Sequence, residues 1–177
     1  MVSRAILIVA LAAAPARAEP TTPTTWLNTS FVVGDLGGHR SATDGWRVDG
    51  IGFRVAQMFG EHLELGGELH ALKLYAANDS DPRIGFALRG IASIGYRLTA
   101  HGRIDWTAKP EVGVGSSIAF GLGGGEHAFD EVFAGLELSV HVPLYDRRAW
   151  GGHLEVRMGE SQGMPTLTAL IGHDWGW

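Results

Sequence analysis

Glu137, Ser139 and His141 stand at alternate positions of one stretch. An acid, a hydroxyl and an imidazole are the residue types an acyl-transfer site would use. A serine becomes a nucleophile when a base takes its proton and a third group orients that base. In an extended chain the three share a face, but residues two apart are separated by roughly 6.5–7 Å. That spacing is beyond direct hydrogen-bond reach. The same alternation sets them opposite Leu136, Leu138, Val140 and Val142, the apolar side of the run. The trio is therefore read as filling an interior, with no catalytic residue assigned.

Other candidate chemistry is thinner. His70, His141 and His153 are metal-ligating types, but sheet spacing alone defines no site, and neither a metal nor another cofactor is expected. Asn78-Asp79-Ser80-Asp81 opens like a calcium loop but lacks the following Gly and the distal Glu, so it reads as a solvated turn. Gly121-Leu122-Gly123-Gly124-Gly125 has no Lys and no following helix, so it is no phosphate loop. The formal charge is −5, without a basic cluster, which argues against a nucleic-acid partner. With no Cys, neither a disulfide framework nor a lipid-modified cysteine is available.

A different set of residues recurs with period two. Arg54, Glu68, Arg89, Lys109, Glu111, Glu137, Glu155 and Arg157 lie on the faces opposite the apolar ones, at similar depth from the strand ends. Four cations and four anions turned into one small interior must pair, because an ion stranded there costs several kcal/mol. An ion-pair network is expected, with Glu68 and Arg89, on consecutive strands, as its first pair.

The elements that must position these charges are strands. Eight runs alternate between apolar and polar residues, at 26–34, 46–59, 63–75, 84–97, 104–120, 129–144, 149–159 and 164–177. Most are long enough to cross a bilayer, which takes about 9–11 tilted residues. In the second run Arg47, Asp49 and Gln57 share the face of Ile51, Phe53, Val55 and Phe59. A bulge near Gly50 or Gly52 that switches register is expected there. Pro110, Pro143 and Pro165 cannot donate ladder hydrogen bonds, so irregularities are expected at each. Gly is 26 of 177 residues, about twice the usual roughly 7%, which suits a tightly curved sheet. Connections at 60–62, 98–103 and 145–148 are short. Those at 35–45, 76–83 and 121–128 are longer, and 160–163 is short again. Phe59, Tyr96, Trp106, Tyr145, Trp150, Trp175 and Trp177 gather at one end, and Trp46, Tyr75, Phe86, Phe120 and Phe129 towards the other. Two aromatic girdles around an aliphatic band are a membrane-barrel feature. A soluble lipocalin-like barrel would instead expose the glycine-rich face to water.

The two termini set the address. Met1-Val2-Ser3-Arg4, an apolar run and Pro15-Ala16-Arg17-Ala18 read as a signal peptide cut after Ala18. Residues 19–25 are a polar Pro-rich leader, and 26–177 the barrel. The chain ends Gly172-His173-Asp174-Trp175-Gly176-Trp177. This ending resembles the closing strand of bacterial outer-membrane β-barrels, whose assembly signal is a polar residue, any, Gly, two of any, aromatic, any, aromatic. Gly172, Trp175 and Trp177 match; Leu170 stands where a polar residue is usual. Strand number, alternation and ending together resemble the small eight-stranded barrels of the OmpA/OmpX type over residues 26–177.

The resemblance implies an all-β, eight-stranded antiparallel up-and-down transmembrane barrel in a bacterial outer membrane. Lipid, lipopolysaccharide and the barrel-assembly machinery are its expected partners, and a monomer its expected state. The expected role is structural or surface interaction, without enzymatic activity, the lumen plugged by its ion pairs. A lipid A-modifying enzyme similar to the deacylase barrels is the alternative, then a narrow pore. The first needs catalytic side chains on the lipid-facing wall, the second an open lumen.

Overall fold

The computed structural model describes residues 23–36, 46–76, 84–120, 127–144 and 147–177. The expected signal peptide at 1–18, the turn at 78–81 and the glycine run at 121–125 lie outside them. Among the described residues nine strands follow in order: β1 (Thr25–Leu36), β2 (Trp46–Phe59), β3 (Leu63–Ala76), β4 (Ile84–Tyr96), β5 (Leu98–Ala100), β6 (Asp105–Phe120), β7 (His127–Pro143), β8 (Ala149–Ser161) and β9 (Met164–Gly176). Each pairs antiparallel with its neighbours, and β9 pairs with β1, so the sheet closes. β4 and β5 are one wall strand. Gly95 pairs with Glu111 and Leu98 with Ala108, so the register runs on across the gap. Pro110 lies opposite that gap and has no N–H to give the ladder. The barrel thus has eight walls. Pro143 and Pro165 sit in the end pairs with Ala149 and Glu160, where a missing donor disturbs little.

The register sets the dimensions. Thr25 pairs with Gln57, Gln57 with Leu65, Leu65 with Ile94 and Ile94 with Val112. Val112 pairs with Ala134, Ala134 with Met158, Met158 with Leu167, and Leu167 with Asp35. One circuit therefore climbs from Thr25 to Asp35 on the same strand. This stagger tilts the strands, typically by 35–45°, and an eight-stranded barrel has an interior wide enough only for its own side chains.

Alternation then assigns the faces. In β4 and along most of β6 and β8, exposed and buried residues strictly alternate. Leu69, Leu88, Val114, Val132, Leu138 and Ile171 all point outward and are exposed. At the end that carries both termini, Phe59, Tyr96, Trp106, Trp150, Trp175 and Trp177 also point outward. Phe129, placed with the far-end aromatics, instead packs inside with Val32, Val48, Leu72 and Leu74. Strand β2 has no bulge: every residue from Trp46 to Phe59 keeps a partner on β3. Its outward polar residues lie near the strand's ends, where they bond locally. Asp49 accepts from the Tyr75 hydroxyl at 3.1 Å, and Gln57 accepts from the Thr25 hydroxyl at 2.9 Å.

Because Leu136 and Leu138 are outward and Glu137 inward, single cysteines at the three positions give a direct test. In lipid vesicles a probe at 136 or 138 should be strongly quenched by chain-labelled lipid, and one at 137 weakly. The reverse pattern would contradict the assigned faces.

Candidate functional site

The lumen is layered. Near the termini Trp26, Ala56, Met58 and Ala149 form an apolar layer. Towards the far end Val32, Val48, Leu72, Leu74, Ala87, Ala119, Phe129 and Leu170 form another. Between them lie the charges. Arg54 reaches Glu64 and Glu111, each at 2.9 Å, and stands 3.5–3.8 Å from Glu68, Glu137 and Glu155. Lys109 reaches Glu137 at 2.7 Å, Glu64 at 2.8 Å and Glu111 at 3.3 Å. Arg157 forks onto Glu68 at 2.6 and 2.8 Å, touches Glu111 at 3.1 Å and bonds Glu155. Fork-shaped pairing of this kind gives the strongest carboxylate contacts.

Seven of the eight charges singled out in the sequence therefore meet in one cluster. The eighth, Arg89, stands apart and bonds Glu131. Glu68 joins Arg157 and His70, and no ion pair links it to Arg89. The ladder explains this correction: Arg89 is opposite His70, and Glu68 opposite Ile91. The stagger of the barrel, more than order along the chain, selects partners.

The balance of four and four also changes. Among the described residues Glu64, Arg97, Asp105, Glu131 and Asp174 are buried too, giving eight carboxylates to five Lys and Arg. Three buried histidines sit against this acid excess. His70 bonds Glu68 at 3.0 Å, while His141 and His153 share Asp174 at 2.7 and 2.5 Å. Asn28 also donates to Asp174. Among the described residues no three His, Cys, Asp or Glu side chains are grouped to hold a metal.

The acid–hydroxyl–imidazole trio is dispersed. Glu137 pairs with Lys109, His141 with Asp174, and the buried Ser139 hydroxyl has no hydrogen-bond partner. Ser139 does face His153 across the β7–β8 ladder, next to Asp174. No bond joins Ser139 to His153, and all three are buried inside the barrel. On the outer wall His173 stacks on Trp150, with 5.8 Å between ring centroids. Ser116, exposed on that wall, lies opposite Gly90 and Asp130, so neither of its ladder partners is a histidine.

No family model matches the chain, and no curated protein does. Solved structures do match. Neisserial surface protein A is 9% identical with a TM-score of 0.58, over 86% of this chain and 97% of that one. Ail, the attachment invasion locus protein of Yersinia pestis, is 8% identical with a TM-score of 0.47, over 87% and 97%. The outer membrane protein AlkL, solved by solid-state NMR in lipid bilayers, is 13% identical with a TM-score of 0.44, over 93% and 95%. The chain has the fold of the small outer-membrane β-barrels. The closing strand of this small barrel carries Gly172 and Trp175, and Trp177 follows its last residue. Both Trp rings face outward, and the main chain of Trp177 bonds Thr24 and Thr25. Gly172 faces inward, where a Cβ would lie 1.9 Å from the Thr29 carbonyl oxygen.

Coupling energies can verify the pairing. In unfolding from lipid vesicles, Glu68→Gln and Arg157→Gln should couple by about 1–3 kcal/mol, the range for groups in contact within a network. Glu68→Gln and Arg89→Gln should be closer to additive. The opposite ranking would mean that the pairs are wrongly assigned.

Proposed function

We propose that this protein is a non-enzymatic outer-membrane barrel with a structural or surface-interaction role, its lumen plugged by its own side chains. The observation that carries the reading is the layering of the lumen. Ion-paired charges fill the middle, and an apolar layer closes each end. A pore needs a continuous wet path, whereas here the Arg97 guanidinium lies 4.1 Å over the Trp26 ring and His141 packs 4.6 Å from it. A serine nucleophile needs a base within hydrogen-bond reach, and the Ser139 hydroxyl has no such partner.

The outward wall supports the membrane setting. Its side chains are apolar through the middle, and six outward aromatics ring the end with the termini. Trp at such a level keeps its ring in lipid and its N–H wet. In this reading the chain is exported with a signal peptide cut after Ala18. It stands as a monomer amid outer-membrane lipid and lipopolysaccharide, its termini periplasmic. Gly172, Trp175 and Trp177 address it to the barrel-assembly machinery.

Planar-bilayer recording tests the plug. The unmodified protein should give no stable single-channel steps, and steady currents would overturn the reading. Mass analysis of lipid A from cells with and without the protein tests the absence of enzyme activity; a protein-dependent mass change would refute it. Changing Trp175 and Trp177 to Ala should lower the amount of heat-modifiable barrel in the outer membrane. Unchanged levels would remove the assembly role of these residues.

A further inference from the structure

Most inward strand glycines have a reason in the fold. At Gly50 and Gly151 an added Cβ would lie 2.1 and 1.8 Å from a backbone oxygen of the next strand. At Gly66 it would meet the Arg54 guanidinium within 3 Å. Gly67 and Gly90 differ. Both point outward, and an added Cβ at either would meet no atom within 4 Å. Neither has the left-handed backbone that demands glycine. A glycine inside a strand weakens it and marks either a bend or the close approach of something else. No bulge or break accompanies these two, since both keep their ladder partners on each side.

They share the floor of one groove of about 1120 Å³ on the outer wall. Its floor follows the ladder from β2 to β8 in two neighbouring rows: Gly67 pairs with Ala92, Gly90 with Ser116, and Ser116 with Asp130. Because each circuit of the ladder climbs the barrel, this path slants upward. It starts among aliphatic side chains and ends at the far rim beside Glu160 and Gln162. Phe53, Leu69, Val114 and Val132, all exposed, form its sides. Five inter-strand steps of about 4.8 Å make it about 24 Å long. One leaflet is about half of a 30 Å hydrocarbon core, and climbing about 15 Å at roughly 40° takes a little over 20 Å.

We infer that this groove seats one acyl chain of a lipid in the leaflet at the far end of the barrel. The inference rests on the membrane-barrel reading above. Within a bilayer no hydrophobic force favours one apolar contact over another, so fit decides. An unfilled furrow forfeits dispersion contacts along its length. A flexible chain can follow a slanted, glycine-floored path, and the polar rim meets the lipid where its hydrocarbon gives way to headgroup.

The test uses the full barrel in phosphatidylcholine vesicles with a small fraction of lipid carrying a nitroxide on its acyl chain. The motionally restricted lipid is counted by electron spin resonance. Gly67→Leu/Gly90→Leu should fold, since open space surrounds both positions, and it should fill the furrow. Ala92→Leu fills it from a residue that already has a Cβ. Both variants are checked for heat-dependent gel mobility. Each should hold about one restricted lipid fewer per barrel than the unmodified protein. Ala169→Leu on the opposite wall should change nothing. Equal counts in all four proteins would overturn the inference. A dimer in the unmodified protein that dissociates in Gly67→Leu/Gly90→Leu would also overturn it, by giving the furrow to a second copy. Strong lipid quenching at Leu136 together with equal counts would reject the furrow alone. Weak quenching at Leu136 would reject the membrane reading itself.

Discussion

Closure is the constraint on which the rest depends. Once β9 pairs with β1 after a circuit that climbs from Thr25 to Asp35, the interior has a fixed, narrow bore. Charges turned into it lose water and must be solvated by one another. That is why Arg54 and Lys109 are each shared among several carboxylates, and why Arg157 is held in a fork by Glu68. The surplus of acids over Lys and Arg places the three buried histidines where a carboxylate can use their ring N–H groups.

Filling this bore with arginines needs space, and the inward glycines supply it. The Arg54 side chain crosses over Gly66, and the Phe133 ring lies over Gly113. A methyl group at either position would collide with it. Arg157 in turn stacks 4.6 Å over Phe133. At these two positions glycine is tied to the size of the side chain that faces it from another strand. Gly67 and Gly90, on the outer surface, face no such side chain.

Much of the architecture is legible in the sequence because period-two alternation is a local property. It places Arg54, Lys109, Glu137 and Arg157 inside without any knowledge of the fold. The same parity applied nearer the strand ends would have added Glu64, Arg97, Glu131 and Asp174, since depth is no guide to burial when the strands are tilted. Partner choice is not local. Glu68 meets Arg157 from β8, far along the chain, because the stagger brings them level, and no spacing in the sequence encodes that stagger. The expected slip in β2 fails for a related reason: Arg47, Asp49 and Gln57 lie near the strand's ends, where polar side chains can face outward without a change of register. Phe129 shows the limit of aromatic position as a guide, because its place along the strand marks its level and only parity marks its face.

The buried lumen charges solvate one another as a mutually paired set, so each depends on the rest staying in place. Equilibrium unfolding of Arg54→Gln in lipid vesicles tests this dependence most directly. Removing this one cation leaves Glu64 and Glu111 each short of a partner at 2.9 Å. A loss of about 3–5 kcal/mol is predicted, the usual cost of breaking a buried pair from one side, with part of it recovered when Glu111→Gln is added. A loss below about 1 kcal/mol, as for a solvated surface pair, with no recovery in the double variant, would contradict the account.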